Sequence, residues 1–346
     1  MTRDVLTADA GGLYCPHGDF WIDPLRPVAR AVITHAHADH ARSGATEYLA
    51  ARPGIPVLAH RVGQPQKSAG ASENEGLRIL DYGERIELGD SQVTLFPAGH
   101  ILGSAIVRIE TDDGVWGVSG DFKREPDPTC APFEPFDCNV WLTECTFGLP
   151  VYRWQPTAEV VDEILAWWDE CAAAGRPAVL FCYALGKAQR VLAELAGRRD
   201  RPVWLHGAQQ PLTECYRKQG IDMIPTRPVS EAEKGYRFAG DLVMAPPSAA
   251  GSTWMRRFPN HSAGFVSGWM RIRGNRRRRG YDRGFVLSDH ADWPGLLRTV
   301  EDMRASRVIT IHGNGEALAR HLRDQGIAAE TWNLRASLNQ NDEGPE

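Results

Sequence analysis

The sequence predicts an α/β protein, in which a parallel α/β segment of roughly 130 residues interrupts a layered, β-rich domain. Three observations carry this. Up to about Phe147 the chain reads as short apolar runs punctuated by Gly and Pro; after Pro156 strand and helix patterns alternate; from Gly284 the earlier strand texture returns. At 346 residues, 42% hydrophobic and 24% charged, the chain exceeds one ordinary domain and, as a normal soluble composition, can bury a sizeable core. The expected boundaries are 1–152 for the first part of the β-rich domain, 153–283 for the insertion, 284–335 for the domain's C-terminal part and 336–346 for a polar, disordered tail.

In the first part, strands are expected at Ala31–Thr34, Pro56–Ala59, Gln92–Phe96, Ala105–Glu110, Val115–Ser119 and Val140–Thr143. Turn residues separate them at hairpin-like intervals, which suggests a mostly antiparallel arrangement. Thr157 is placed to cap a helix whose apolar positions include Val160, Val161, Ile164, Leu165 and Trp168. A buried strand at Ala178–Tyr183, a turn at Gly186, a helix over Lys187–Ala196, a strand at Val203–Leu205 and a helix near Gln210–Gln219 follow, the alternation of a parallel α/β unit. A loop rich in Gly and Arg closes this section, and strand Gly284–Ser288, helix Trp293–Ala305, strand Val308–Ile311 and helix Gly315–Gln325 complete the chain.

A net charge of −5 carries no global signature of a nucleic-acid binder, so any such surface must come from local charge separation. The seven cysteines (15, 130, 138, 145, 171, 182 and 215) are scattered and form no C-x-x-C, which argues against a disulfide framework or a zinc knuckle and fits a reducing cytoplasm. Met1–Leu6 lacks the apolar region of a signal peptide, and no apolar run approaches a membrane span.

The densest chemistry lies in Thr34-His35-Ala36-His37-Ala38-Asp39-His40, directly after the strand-like Ala31-Val32-Ile33. Imidazole nitrogen and carboxylate oxygen are the donors that zinc and manganese choose, and four such groups this close suggest two ions. His100, Asp121 and His312 each end an apolar run and adjoin a glycine, where a rigid strand end can hold a ligand at fixed geometry.

His-x-His-x-Asp-His followed by a lone His and a lone Asp resembles the signature of the metallo-β-lactamase fold hydrolases. The resemblance implies a four-layer αββα sandwich and two divalent ions per chain, zinc or manganese. One ion would take His35, His37 and His100, the second Asp39, His40 and His312, and Asp121 would bridge them. Asp23, in Trp21-Ile22-Asp23-Pro24, matches the family's first motif, an acid that supports the ligand loop and counts with Asp39 among the catalytic positions.

Leu142-Thr143-Glu144-Cys145-Thr146-Phe147-Gly148 resembles motif A of the β-CASP nuclease branch, Leu287-Ser288-Asp289-His290-Ala291-Asp292 resembles motif B, and His312 falls at motif C. Ala184-Leu185-Gly186-Lys187-Ala188-Gln189 is similar to the strand-turn-helix element of the α/β insertion which that branch carries after motif A. The stretch Ser267–Gly280 looks like the bacterial DNA ligase-associated exonucleases, relatives of Artemis-type nucleases. The resemblance therefore implies a metal-dependent DNA exonuclease that hydrolyses phosphodiesters with metal-activated water, in DNA repair, with 5′ to 3′ polarity. Single-stranded DNA or DNA ends would be the substrate, and an ATP-dependent DNA ligase and a helicase the pathway partners, with no membrane involved. His290 is expected to hydrogen-bond a phosphoryl oxygen or protonate the leaving oxygen, and Glu144 to orient its imidazole.

Arg271, Arg273, Arg276, Arg277, Arg278, Arg279 and Arg283 crowd thirteen residues just upstream of His290, and guanidinium forks suit phosphate oxygens. Lys123 and Lys187 are further candidates for nucleic-acid contact. Three other readings share part of the pattern. A ribonuclease of the same branch is favoured by His312, because many DNA-acting members carry an aliphatic residue at motif C and RNA-acting ones carry His. A small-ester hydrolase would need neither the insertion nor the arginine run. An inactive scaffold would have lost ligands that are all present here.

Overall fold

A computed structural model describes residues 4–9, 11–63, 76–272, 274 and 280–333. The chain divides into two compact units, with breaks between Val151 and Tyr152 and between Asp289 and His290. The polar tail expected over 336–346 lies outside the described residues.

The first unit contains two sheets. Strands Thr7–Asp9, Gly12–Cys15, Phe20–Ile22, Arg30–Val32, Glu47–Ala51 and Leu77–Leu80 follow one another in one of them. The other has the order Ala328–Thr331, Arg307–Ile311, Val140–Glu144, Gly114–Val118, Ala105–Thr111, Ser91–Pro97, Arg85–Leu88. Each sheet is antiparallel at one end and parallel at the other, which corrects the mostly antiparallel expectation. Turn residues announce a change of direction but do not say which strand the chain returns to.

Period-two alternation explains the layering. Val140 and Leu142, Val107 and Ile109, and Ile309 and Ile311 face a core shared with Leu13, Ile22, Val32 and Leu49 of the other sheet. The intervening Trp141, Ile106 and Val308 face the opposite way, against Trp293, Leu296, Val300, Leu318 and Leu322 of helices Trp293–Met303 and Gly315–Asp324. The α/β sandwich implied by the sequence is the fold observed. One element differs: Pro56–Ala59 lies inside helix Ile55–Val62, not in a strand. Pro56 occupies the first helical turn, where its missing N–H is no loss, and Val57 and Leu58 form the buried face.

The second unit is built on an all-parallel sheet, ordered Thr226–Pro228, Val203–Leu205, Leu242–Ala245, Ala178–Phe181, Ser262–Val266, Arg283–Phe285. Arg283–Phe285 pairs with Ser262–Val266, so residues 284–289 belong to this unit rather than to the C-terminal part of the first. Helices Thr157–Ala173, Lys187–Glu194 and Gln210–Lys218 accompany the sheet. Thr157 is the first helical residue and not the cap; its hydroxyl accepts a 2.8 Å bond from the Arg190 guanidinium.

That bond belongs to a buried ion cluster. Lys187 Nζ lies 2.8 Å from Asp289 Oδ2, and Arg190 donates to the Ser288 carbonyl at 2.6 Å while lying 3.4 Å from Asp289 Oδ1. Lys187 is 3% exposed, so it is not the surface phosphate contact its helix-start position suggested. Asp289→Ala would remove a buried carboxylate that two buried cations share, and is expected to cost about 3–5 kcal/mol of stability. Urea unfolding of the variant measures this; a loss below about 1 kcal/mol would mean that the cluster is solvated.

Among the described residues no helix is long and apolar enough to cross a membrane. All seven cysteines are free thiols.

Candidate metal centre

Strands Ser91–Pro97, Gly114–Val118, Val140–Glu144 and Arg307–Ile311 run in the same direction, so their C-terminal ends share one edge of the sheet. His100, Asp121, Glu144 and His312 sit at those ends. The facing sheet supplies its own strand end after Arg30–Val32, and the Ala105 N–H donated to the Thr34 carbonyl at 2.8 Å ties the two edges together. A turn in which His40 and Ala41 N–H both donate to the His37 carbonyl then folds the rest of the motif inward.

The side chains meet at short range. His35 Nε2 and His37 Nδ1 are 3.0 Å apart, and His100 Nε2 and His37 Nδ1 3.2 Å. Asp121 Oδ2 stands 3.5 Å from His35 Nε2 and 3.7 Å from His100 Nε2. Tetrahedral ligands about 2.0–2.1 Å from a zinc ion are separated by about 3.3–3.4 Å. These four separations bracket that edge length, and all four donors lie within 4.8 Å of one another, so the set suits one divalent ion. The same Asp121 oxygen lies 3.5 Å from His40 Nε2, which is itself 3.5 Å from Asp39 Oδ2. The His312 ring stands 6.3 Å from that of His40, and Asp39, His40 and His312 line a small cavity of about 40 Å3 with Asp23 and Gly120. These donors are chemically suited to a second ion beside the first.

Within the buried cluster the electrostatics differ from group to group. Burial and the neighbouring imidazoles push His35 well below its ordinary pKa, leaving a neutral ring with a free lone pair. Burial opposes charge on His40, but Asp121, Asp39 and Asp23 outweigh it and raise its pKa. Burial pushes the Asp121 carboxyl up to about 6 against the pull of His40 and His290.

Second contacts fix the donors. Asp23 Oδ2 is 2.7 Å from His40 Nδ1, and Asp23 also accepts from the Thr34 N–H at 2.8 Å and its hydroxyl at 2.5 Å. Thr34 Oγ1 is 3.1 Å from His35 Nδ1, so each ring turns Nε2 inward. Ser104 Oγ accepts from the His100 and Ile101 N–H groups and holds that loop. Sequence reading missed Thr34 and Ser104; the signals were a hydroxyl residue adjoining His35 and another four residues after His100. Gly120 has φ +53°, and a Cβ there would lie 2.6 Å from Thr34 Cβ. Gly120→Ala is expected to cost about 1–3 kcal/mol and to loosen the Asp23–Thr34–His35 contacts. Thermal melting beside metal content checks this; parent values in both would show that the loop has room.

Glu144 is 1% exposed and spends its carboxylate on three partners: the Thr146 N–H at 3.0 Å, the Phe122 N–H at 3.3 Å and His290 Nδ1 at 2.8 Å. Burial alone would raise its pKa, but His290 and the Thr146 hydrogen bonds bring it below the usual value. His290 Nε2 then lies 3.9 Å from Asp121 Oδ2, beside the donor cluster and partly open to solvent. Its motif neighbour Asp292 instead caps helix Trp293–Met303 by accepting from the Gly295 N–H at 2.9 Å.

The basic residues are placed differently from expectation. Lys123 is 1% exposed, with Nζ 3.4 Å from the Pro126 carbonyl, so it is a buried lysine and not a surface contact. Arg271 is exposed at the end of the turn Gly268–Arg271 in the second unit. Arg273, Arg276, Arg277 and Arg278 lie outside the described residues.

Residues 16–159 match the model of the metallo-beta-lactamase superfamily. With the donor set above, this chain carries a metallo-β-lactamase superfamily domain, and its relatives include β-CASP family members. It is 34% identical over 323 residues to a protein of Opitutus terrae named a probable DNA ligase, which covers 93% of this chain and 30% of that protein. It is 28% identical over 218 residues to a ribonuclease of Thermus thermophilus, covering 58% of this chain and 48% of that one. The chain thus spans less than half the length of either relative. A crystal structure of a protein of unknown function from Enterococcus faecalis V583 shares the fold, with a TM-score of 0.57 over 88% of this chain and 78% of that one at 12% identity.

Proposed function

We propose that the chain is a metal-dependent DNA exonuclease, working 5′ to 3′ in DNA repair beside an ATP-dependent DNA ligase and a helicase. The observation that carries the hydrolytic half is the single Asp121 oxygen surrounded by His35, His40 and His100 nitrogens at 3.5–3.7 Å. The DNA half is supported by the Opitutus relative, in which a segment similar to nearly this whole chain is part of a probable DNA ligase.

His35, His37 and His100 would hold one divalent ion and Asp39, His40 and His312 a second, with Asp121 shared; zinc and manganese both suit these donors. When bound, such ions supply a water of lowered pKa and neutralise charge on phosphate oxygens. The chain's own residues do the rest. Glu144, facing Nδ1 of His290 at 2.8 Å, holds a proton on that nitrogen and leaves Nε2 for the phosphate. Once Nε2 also carries a proton, it donates a hydrogen bond to a phosphoryl oxygen or gives that proton to the leaving oxygen. Asp23 and Thr34 keep His40 and His35 in the required tautomers.

A ribonuclease is the second reading, favoured by His312 at motif C and by the Thermus relative. Matched single-stranded DNA and RNA, each labelled in turn at the 5′ and 3′ end and incubated with manganese or zinc, separate the two. Stepwise shortening of DNA with early release of the 5′ label is expected. Shortening of RNA alone would make the chain a ribonuclease, and early release of the 3′ label would reverse the polarity.

A further inference from the structure

On the first unit, an open cleft of about 420 Å3 adjoins the donor loop and is lined by Arg26, Arg42 and Arg61 together with Leu25, Ala38 and Ala41. Its size falls within the range of about 300–1,000 Å3 typical of ligand-holding clefts. Leu25 also lines the small cavity beside Asp39 and His40, so the cleft and the metal centre are neighbours across one side chain and one turn. Along that turn Asp39 and His40 line the cavity, and Ala38 and Ala41, flanking them, line the cleft.

The three guanidiniums, like those of Arg78 and Arg298, are in no ion pair among the described residues. Elsewhere in this unit Arg30, Arg52, Arg108 and Arg124 each sit 2.5–2.7 Å from a carboxylate oxygen. Among the described residues, no carboxylate lines the cleft and none pairs with Arg26, Arg42 or Arg61. Arg61 makes a structural contact, its Nε donating to the Ala36 carbonyl at 3.3 Å, which leaves its terminal nitrogens available. Three exposed like charges in an acidic protein repel one another, and an anion with several oxygens relieves that repulsion while taking up forked N–H donors. The small Ala38 and Ala41 side chains leave room for it.

We infer that this cleft is a phosphate-binding track, in which Arg26, Arg42 and Arg61 hold backbone phosphates of the nucleic-acid strand flanking the bond to be cleaved. The inference rests on the nuclease reading and adds a substrate-binding surface to it, on the opposite side of the ligand turn from Asp39 and His40.

The test is fluorescence anisotropy with a labelled, phosphorothioate-linked single-stranded DNA that resists hydrolysis, measured at several salt concentrations with metal-loaded protein. Arg26→Ala/Arg42→Ala/Arg61→Ala is expected to weaken binding about tenfold or more and to flatten the slope of log K against log salt by about 2, at about 0.7 per lost phosphate contact. Metal content is read in parallel. If the triple variant loses metal, the Arg61 bond to Ala36 is responsible, and Arg26→Ala/Arg42→Ala decides alone with an expected slope change of about 1.4. Unchanged affinity and slope, in a chain that still cleaves nucleic acid, would overturn the track and leave the nuclease reading standing. A parent chain that neither binds nor cleaves DNA or RNA would remove the nuclease reading, and the track with it.

Discussion

Asp121→Asn is expected to slow phosphodiester hydrolysis by about a thousandfold or more, a loss of about 4 kcal/mol of transition-state stabilisation. The substitution keeps the size of the side chain and removes only its charge and one acceptor oxygen. Asp121 Oδ2 lies 3.5 Å from His35 and His40 and 3.7 Å from His100, a position from which it would serve both groups of proposed ligands. An amide binds a divalent cation far more weakly than a carboxylate does, and the variant is expected to retain fewer ions than the parent. Steady-state kinetics with metal analysis of the same preparation measure both quantities. Near-parent turnover would remove Asp121 from the centre, and slow turnover with full metal content would make it a group that acts only on the substrate.

His290→Ala is expected to lower kcat by about a hundredfold to ten-thousandfold while leaving KM for DNA and metal content near the parent values. The ring is fixed from behind by a buried carboxylate that also accepts two backbone N–H groups, so Glu144 has little freedom to do anything else. His290 is partly exposed and belongs to neither group of proposed ligands, so its loss should act on the chemical step. A matching rise in KM would assign it to substrate binding, and lost metal would make it a ligand. Glu144→Gln keeps an acceptor for Nδ1 and should lose less.

Much of the proposed site was legible in the sequence because His100, Asp121, Glu144 and His312 each follow or end an apolar run, and those four runs became co-directional strands of one sheet. Compact spacing in residues 35–40 needed no tertiary information. What sequence did not carry was non-local. The return of Arg283–Phe285 to the second unit depends on which strand lies beside it, and nothing in Gly284–Ser288 states that. Pro56–Ala59 is apolar and short, a pattern shared by strands and buried helical turns, and the proline in the first turn was the discriminating feature. Lys123 and Lys187 show the same limit for charge: both sit beside motif residues, yet burial and a carboxylate partner at 2.8 Å make Lys187 part of the internal framework. Arg26, Arg42 and Arg61 lie far apart in sequence and form no run, so only folding assembles their cleft.

On the proposed reading these side chains hold two ions. Metal-depleted protein titrated with manganese or zinc, with bound ions counted by elemental analysis after desalting, tests it most directly. About two ions per chain are expected, falling in His37→Ala and Asp121→Asn. Retention of no ion by the parent, or full retention by both variants, would contradict it.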